Sequence, residues 1–135
     1  MLIEPLSLFK ILFICSFAWE KARFGFNRKN NTKMKILFLG DIVGDSGFNS
    51  VKKNLPNIIQ KNKIDFVCVN GENAASEGAG LTENIAIELF NVGVAVITTG
   101  NHVWDQKEIY EFIKTENKLL RPLNMNGNLP GKGFS

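Results

Sequence analysis

Three apolar, strand-like runs, each followed by a glycine and a polar cluster, constrain this chain more than any other feature of its sequence. The runs are Lys35–Leu39, Phe66–Asn70 and Val94–Thr98. Apolar residues at helical spacing fill the segments between and after them, so the chain alternates strand and helix. This order predicts an α/β fold that begins βαβαβα, with a mostly parallel sheet, right-handed crossovers and helices on its faces.

Each expected helix has a start signal. Asp45 or Ser46 can cap the helix after the first strand, and the hydroxyl of Thr82 can cap the second helix. The third helix is expected to begin at Asp105, because Asp105 and Glu108 have the spacing of a capping box.

Polar side chains follow each of the three strands. They are Asp41 after the first, Glu72 and Asn73 after the second, and Asn101 and His102 after the third. The carboxyl ends of parallel strands open on one edge of a sheet, so we expect these side chains to converge on one crevice. Carboxylate, amide and imidazole donors suit Mn²⁺, Fe or Zn²⁺. The sequence therefore predicts a metal site at this edge.

Each of these residues also has a structural explanation. Asp41 could be a turn residue that caps the first helix, and Glu72 could be a solvated loop charge. Asn73 could stabilise its loop through the amide, and Asn101 could cap a helix. His102 is the single histidine of the chain, and a lone histidine is more often structural than functional. Three clusters in register favour the metal site over five separate structural roles.

The residues around the clusters resemble a known family. The matching runs are MKILFLGDIVG from Met34, NGENAA from Asn70 and TGNHVWD from Thr99. They resemble the calcineurin-like metallophosphoesterases, and most of all the YmdB-type branch of 2′,3′-cyclic-nucleotide phosphodiesterases. The wider superfamily has a histidine where this chain has Val43 and an aspartate where it has Glu72, and the branch shares both replacements.

The resemblance implies a metallophosphoesterase-type layered sandwich and hydrolysis by a dinuclear metal site. Two divalent ions, Mn, Fe or Zn, would be held by Asp41, Glu72, Asn73 and Asn101, with Glu72 bridging. His102 would lie beside the substrate phosphate as proton donor to the leaving alkoxide or as a charge stabiliser. The implied substrate is a small phosphodiester, such as a cyclic nucleotide.

The resemblance runs from Met34 to Ser135, and the family's further histidine ligands are expected downstream. No histidine follows His102. We therefore expect residues 34–135 to be the N-terminal part of a metallophosphoesterase domain from a split or truncated gene, and the isolated chain to be inactive. A non-catalytic remnant or binding module is the alternative. A Rossmann-type nucleotide binder is a weaker one, because the glycines of Gly40–Gly47 have the wrong spacing for a dinucleotide fingerprint.

Charge divides the chain into two parts. Met1–Lys33 holds six basic and two acidic residues, whereas Met34–Ser135 holds ten basic and eleven acidic residues. The near-neutral second part argues against duplex nucleic acid as a partner. Met34 opens directly into the first strand, so we expect residues 1–33 to be an extension outside the domain, produced by a mis-called start.

Cysteine use and hydropathy bear on location. Cys15 and Cys68 have no CxxC partner and form no disulfide framework, which favours a reducing, cytoplasmic setting. The apolar stretch Leu6–Trp19 is shorter than the roughly 20 residues of a membrane span, and polar residues interrupt it. No membrane association is expected.

Overall fold

The computed structural model describes residues 33–135 and the backbone of the short strand Phe13–Cys15. The strands are β1 (Phe13–Cys15), β2 (Ile36–Leu39), β3 (Phe66–Asn70), β4 (Val96–Thr98) and β5 (Leu119–Leu120). The α-helices are α1 (Gly44–Asn62), α2 (Glu83–Asn91) and α3 (Ile109–Thr115), and a 3₁₀-helix spans Asn101–Trp104. None of the helices in these residues is both long and apolar enough to cross a membrane.

The strands form one sheet in the order β1-β2-β3-β4-β5, in which β2 to β5 are parallel. Leu37 lies opposite Val67, and Ile97 lies between Val69 and Leu119. The predicted α/β class and the parallel sheet are therefore confirmed.

All three α-helices contribute to a single core on one face of the sheet. Strand residues Leu37, Val67, Val69, Ile97 and Leu119 are buried there. Helix residues Val51, Leu55, Leu89, Ile109 and Ile113 pack in the same cluster. The expectation of helices on both faces is wrong for the described residues. The reason is topological, because strands added in one direction by crossovers of one hand place every helix on the same side.

Helix α1 begins one residue earlier than its expected caps. Its N-cap is Val43, which makes no side-chain capping bond, so neither Asp45 nor Ser46 has the predicted role. Asp45 lies in the first turn, where its charge complements the helix dipole. The helix ends at Lys63, whose backbone is left-handed and whose N–H is directed at the carbonyls of the last turn.

The second predicted cap is confirmed and the third is wrong. Thr82 Oγ1 accepts a hydrogen bond of 3.2 Å from the Ile85 N–H at the start of α2. Helix α3 begins at Ile109 rather than Asp105, and its N-cap Glu108 makes no capping bond. The Glu108 carboxylate instead accepts from the backbone N–H of Glu83 at 3.0 Å, which ties the start of α2 to that of α3.

Part of the N-terminal extension lies beside the sheet. Phe13–Cys15 pairs with β2 in antiparallel register, with Phe13 opposite Phe38 and Cys15 opposite Ile36. Residues 1–12 and 16–32 lie outside the described part of the chain. The domain boundary at residue 34 therefore stays a prediction, and deletion of the extension tests it.

Candidate metal centre

Backbone hydrogen bonds hold the three strand exits side by side. Ile42 N–H donates to the Asn70 carbonyl at 3.0 Å, and Gly71 N–H donates to the Thr98 carbonyl at 3.0 Å. Val43 and Asn73 form a further parallel bridge just beyond the strands. These bonds extend the parallel pairing past the regular sheet, so the polar clusters leave from one edge.

The first and second clusters meet through Asp41 and Asn73. The amide nitrogen of Asn73 donates to both carboxylate oxygens of Asp41, at 2.9 and 3.1 Å. The Asn73 carbonyl also accepts from Gly44 N–H at 2.8 Å, which fixes the backbone of that residue at the start of α1. Asp41 is exposed and Asn73 is half-buried, so this pair borders solvent.

The second and third clusters meet through Glu72 and Gly100. A Cβ atom at Gly100 would overlap the Glu72 carboxylate, so the carboxylate lies directly on the backbone of the third strand exit. The Glu72 N–H donates to Asn70 Oδ1 at 3.0 Å, which holds the start of the loop. Only a glycine at position 100 permits this contact.

Glu72 has an unsatisfied buried oxygen. Among the buried side-chain nitrogen and oxygen atoms of the described residues, Glu72 Oε2 alone lacks a hydrogen-bond partner. A carboxylate oxygen removed from water without a donor costs several kcal/mol, in order of magnitude, unless a cation or donor compensates it. The ion pairs formed by residues 33–135 involve neither Glu72 nor Asp41.

The third cluster lies on the 3₁₀-helix. Asn101 is exposed on its first turn, and Gly100 rather than Asn101 is the N-cap residue. His102 Nδ1 lies 2.7 Å from Asp105 Oδ2, with both side chains about two-fifths exposed. A hydrogen on Nδ1 satisfies this contact and leaves Nε2 as the free nitrogen.

Sequence reasoning missed the partnership between Asp105 and His102. It assigned Asp105 to a helix cap, but the side chain bonds to the histidine three residues earlier. The signal was present in the spacing, because residues i and i+3 eclipse in a 3₁₀-helix. The helical segment itself was not expected, so this spacing carried no meaning in the sequence.

The loop after Asn73 packs on the same edge. Ser76 Oγ donates to Asp45 Oδ1 at 2.8 Å, and Gln106 Nε2 donates to the Ala79 carbonyl at 3.0 Å. Gly80 has a φ of +83° and lies against Asp105 and Gln106. The loop is therefore fixed by contacts to α1 and to the turn after the 3₁₀-helix.

The cluster is incomplete as a metal cage. In residues 33–135, no three His, Cys, Asp or Glu side chains are grouped closely enough to hold a metal ion. The structure brings Asp41 to Asn73 and Glu72 to Gly100, with Asn101 and His102 directly after that glycine. The roles of these residues as ligands stay predictions.

Comparison with known proteins places the sequence. A protein-family model described as "YmdB-like protein" matches residues 37–135. The chain is 48% identical over 102 residues to the 2′,3′-cyclic-nucleotide 2′-phosphodiesterase of Bacillus subtilis, covering 76% of this chain and 38% of the relative. It is 40% identical over 93 residues to a putative phosphatase/phosphodiesterase of Mycoplasma pneumoniae, covering 69% and 33%.

Two solved structures share the fold. A hypothetical protein from Thermus thermophilus is 41% identical with a TM-score of 0.69, over 76% of this chain and 39% of that one. A structure described as a novel phosphatase from Mycoplasma pneumoniae is 38% identical with a TM-score of 0.67, over 73% and 36%. The chain thus spans about two-fifths of the length of these relatives. It belongs to the YmdB-like family, whose relatives named here are phosphodiesterases and phosphatases.

Proposed function

We propose that this chain supplies one half of the active site of a metal-dependent phosphodiesterase. The observation that carries the proposal is the buried, unpartnered oxygen of Glu72, which lies at the edge where the three polar clusters meet. The name of the Bacillus subtilis relative supports a 2′,3′-cyclic nucleotide, or another small phosphodiester, as substrate.

The donor set fits two divalent cations in part. Asp41 and Glu72 supply carboxylates, and Asn73 and Asn101 supply amide oxygens, which Mn²⁺, Fe or Zn²⁺ accept. Asn73 presents its amide nitrogen to Asp41, so ligation by this residue needs the amide turned over. Because no group of three acidic, histidine or cysteine side chains forms within residues 33–135, the remaining ligands must come from elsewhere.

The ions, when bound, would lower the pKa of a coordinated water and supply the hydroxide that attacks phosphorus. The residues of this chain have separate tasks around that chemistry. Glu72 is held by its contact with Gly100, which positions its free oxygen for a bridging role. The amide of Asn73 orients the Asp41 carboxylate.

His102 is placed for proton transfer. Asp105 engages Nδ1, so Nε2 remains available to give a proton to the leaving alkoxide or to stabilise the phosphate charge. The partial exposure of both side chains leaves the imidazole accessible to a small substrate. We assign Asp105 as the residue that positions His102.

Hydrolysis of a chromogenic phosphodiester with added Mn²⁺ tests the proposal. The samples are this chain and an extended chain, in which the unmatched part of the Bacillus subtilis relative is joined to it. Half a cage binds metal weakly and loses most of the two-metal advantage, so we expect turnover only from the extended chain. Robust turnover by the chain alone would contradict the half-site.

A pair of glutamate variants tests the bridging residue. Glu72→Ala in the extended chain should abolish turnover, because it removes the shared carboxylate. Glu77→Ala is the matched control, since Glu77 is an exposed glutamate in the same loop. An active Glu72→Ala enzyme would remove this role from Glu72, whereas a loss in both variants would indicate a general effect on the loop.

A further inference from the structure

The sheet has one face that no described residue of the core covers. The apolar side chains on it are those of Ile36, Phe38, Phe66, Cys68, Val96 and Leu120, and we call this surface the open face. None of them belongs to the core cluster of residues 33–135 or to the side chains packed against it. Phe38 is 44% exposed and Phe66 is 37% exposed.

Exposure of this face is unusual for a parallel sheet. Parallel sheets occur almost only with both faces covered, because their strands carry apolar residues on both sides. Here the sequence follows that rule, since Phe38, Cys68 and Val96 lie side by side across three parallel strands. The strand segments of the open face carry no charged side chain at these positions, so its complement is an apolar surface.

The width of the open face sets the size of the partner. Four strands at about 4.8 Å spacing place the axes of β2 and β5 about 14 Å apart. A single helix is about 10 Å across, so it leaves one side of the face uncovered. A layer of at least two elements is needed, which is more than one short terminal segment provides.

We propose that the open face is the docking surface for the remaining polypeptide of the family, as an apolar layer laid across β2 to β5. About three-fifths of the Bacillus subtilis relative and of the Thermus thermophilus structure lies outside the matched segment. The matched segment keeps this fold within that longer structure, with a TM-score of 0.69.

The same docking completes the crevice. Asn70 and Thr98 end the open face at its carboxyl edge, and Asn70 Oδ1 holds the N–H of Glu72. A layer on the open face therefore lies next to the half-site and can deliver further ligands to it. Docking itself depends on apolar contact and not on metal, so it is measured separately from activity.

The test is binding in trans. The full chain is mixed, without added metal, with the unmatched part of the Bacillus subtilis relative, and complex formation is followed by analytical ultracentrifugation. We expect a 1:1 complex. Phe38→Asp should weaken it by about tenfold or more, because it buries an unpaired charge in the interface. Ile87→Asp is the matched control on α2, since Ile87 is 41% exposed, and should bind as the unchanged chain does.

A second measurement does not depend on a variant of the open face. In a Cys15→Ser background, maleimide labelling of Cys68 reports accessibility of the open face. We expect the partner to slow this labelling severalfold. Absence of a complex, or an unchanged labelling rate within one, would overturn the proposal.

Two other occupants give distinct results. A dimer of the chain alone that Phe38→Asp dissociates would assign the face to a second copy. Labelling of Cys68 that accelerates when residues 1–32 are removed would assign it to the chain's own extension. Either result would overturn the proposed partner.

Discussion

On the helix-covered face of the sheet, Val69, Ile97 and Leu119 are fully buried among side chains of the same chain. At the carboxyl edge, in contrast, Glu72 keeps a buried oxygen without a partner. The two regions are built from the same strands, and they differ in what completes them. Apolar packing is non-directional and closes locally, whereas a metal cage needs several donors at fixed positions. A segment of about two-fifths of the family's length can therefore form a core without forming a complete site.

The largest effect is expected on the packed face. Ile97→Ala should lower the free energy of unfolding by about 2–5 kcal/mol, because it leaves a cavity in the core. Ile97 is fully buried, whereas Ile87 is 41% exposed on α2. Ile87→Ala should change stability by no more than about 0.5 kcal/mol. Urea denaturation of both variants compares them, and equal losses would show that the core is not closed by these residues.

The next effect concerns the edge. Gly100→Ala places a methyl group on the Glu72 carboxylate and displaces it. Displacement of a catalytic group by about 1 Å can cost about 10²-fold in rate, so we expect a loss of that order in the extended chain. Gly40→Ala is the control, because a Cβ atom at Gly40 meets nothing within 4 Å. If both variants keep full turnover, Glu72 does not need its position on Gly100.

A smaller effect is expected for the orientation of His102. The carboxylate of Asp105 favours the tautomer with hydrogen on Nδ1, and Asp105→Asn weakens this preference. A contribution of about 0.5 kcal/mol for a partly exposed bond corresponds to about a twofold change in tautomer ratio. Nitrogen NMR reads this ratio from one signal, since the chain has a single histidine. Asp45→Asn, which alters a carboxylate bonded to Ser76, should leave the ratio unchanged.

The smallest effect is expected from removal of the extension. A chain that begins at Met34 should keep the helix content and solubility of the full chain, because the core cluster of the described residues lies entirely within residues 37–125. Circular dichroism and sedimentation check this. A marked loss of helix would show instead that pairing of Phe13–Cys15 with β2 is needed to protect the edge of the sheet.

The fold could be predicted because its signals are local. Phe66–Asn70 is predicted and observed over the same residues, and the cap at Thr82 is confirmed. The start of α3 was wrong because Asp105 has two uses available, a helix cap and a histidine partner, and sequence spacing permits both. Contacts between distant segments decided which of the two formed.

The sequence by itself determined the alternation of strand and helix, the parallel sheet and the exit of five polar residues from one edge. Hydrophobic period and strand polarity are sufficient for these features. Only the tertiary structure decided that the helices share one face, that Asn73 turns its amide nitrogen to Asp41, and that Glu72 lies on Gly100. These depend on strand order and on side-chain directions across elements that lie far apart in the chain. Local patterns do not encode such contacts, because the same turn residues satisfy several geometries until the neighbouring strand is in place.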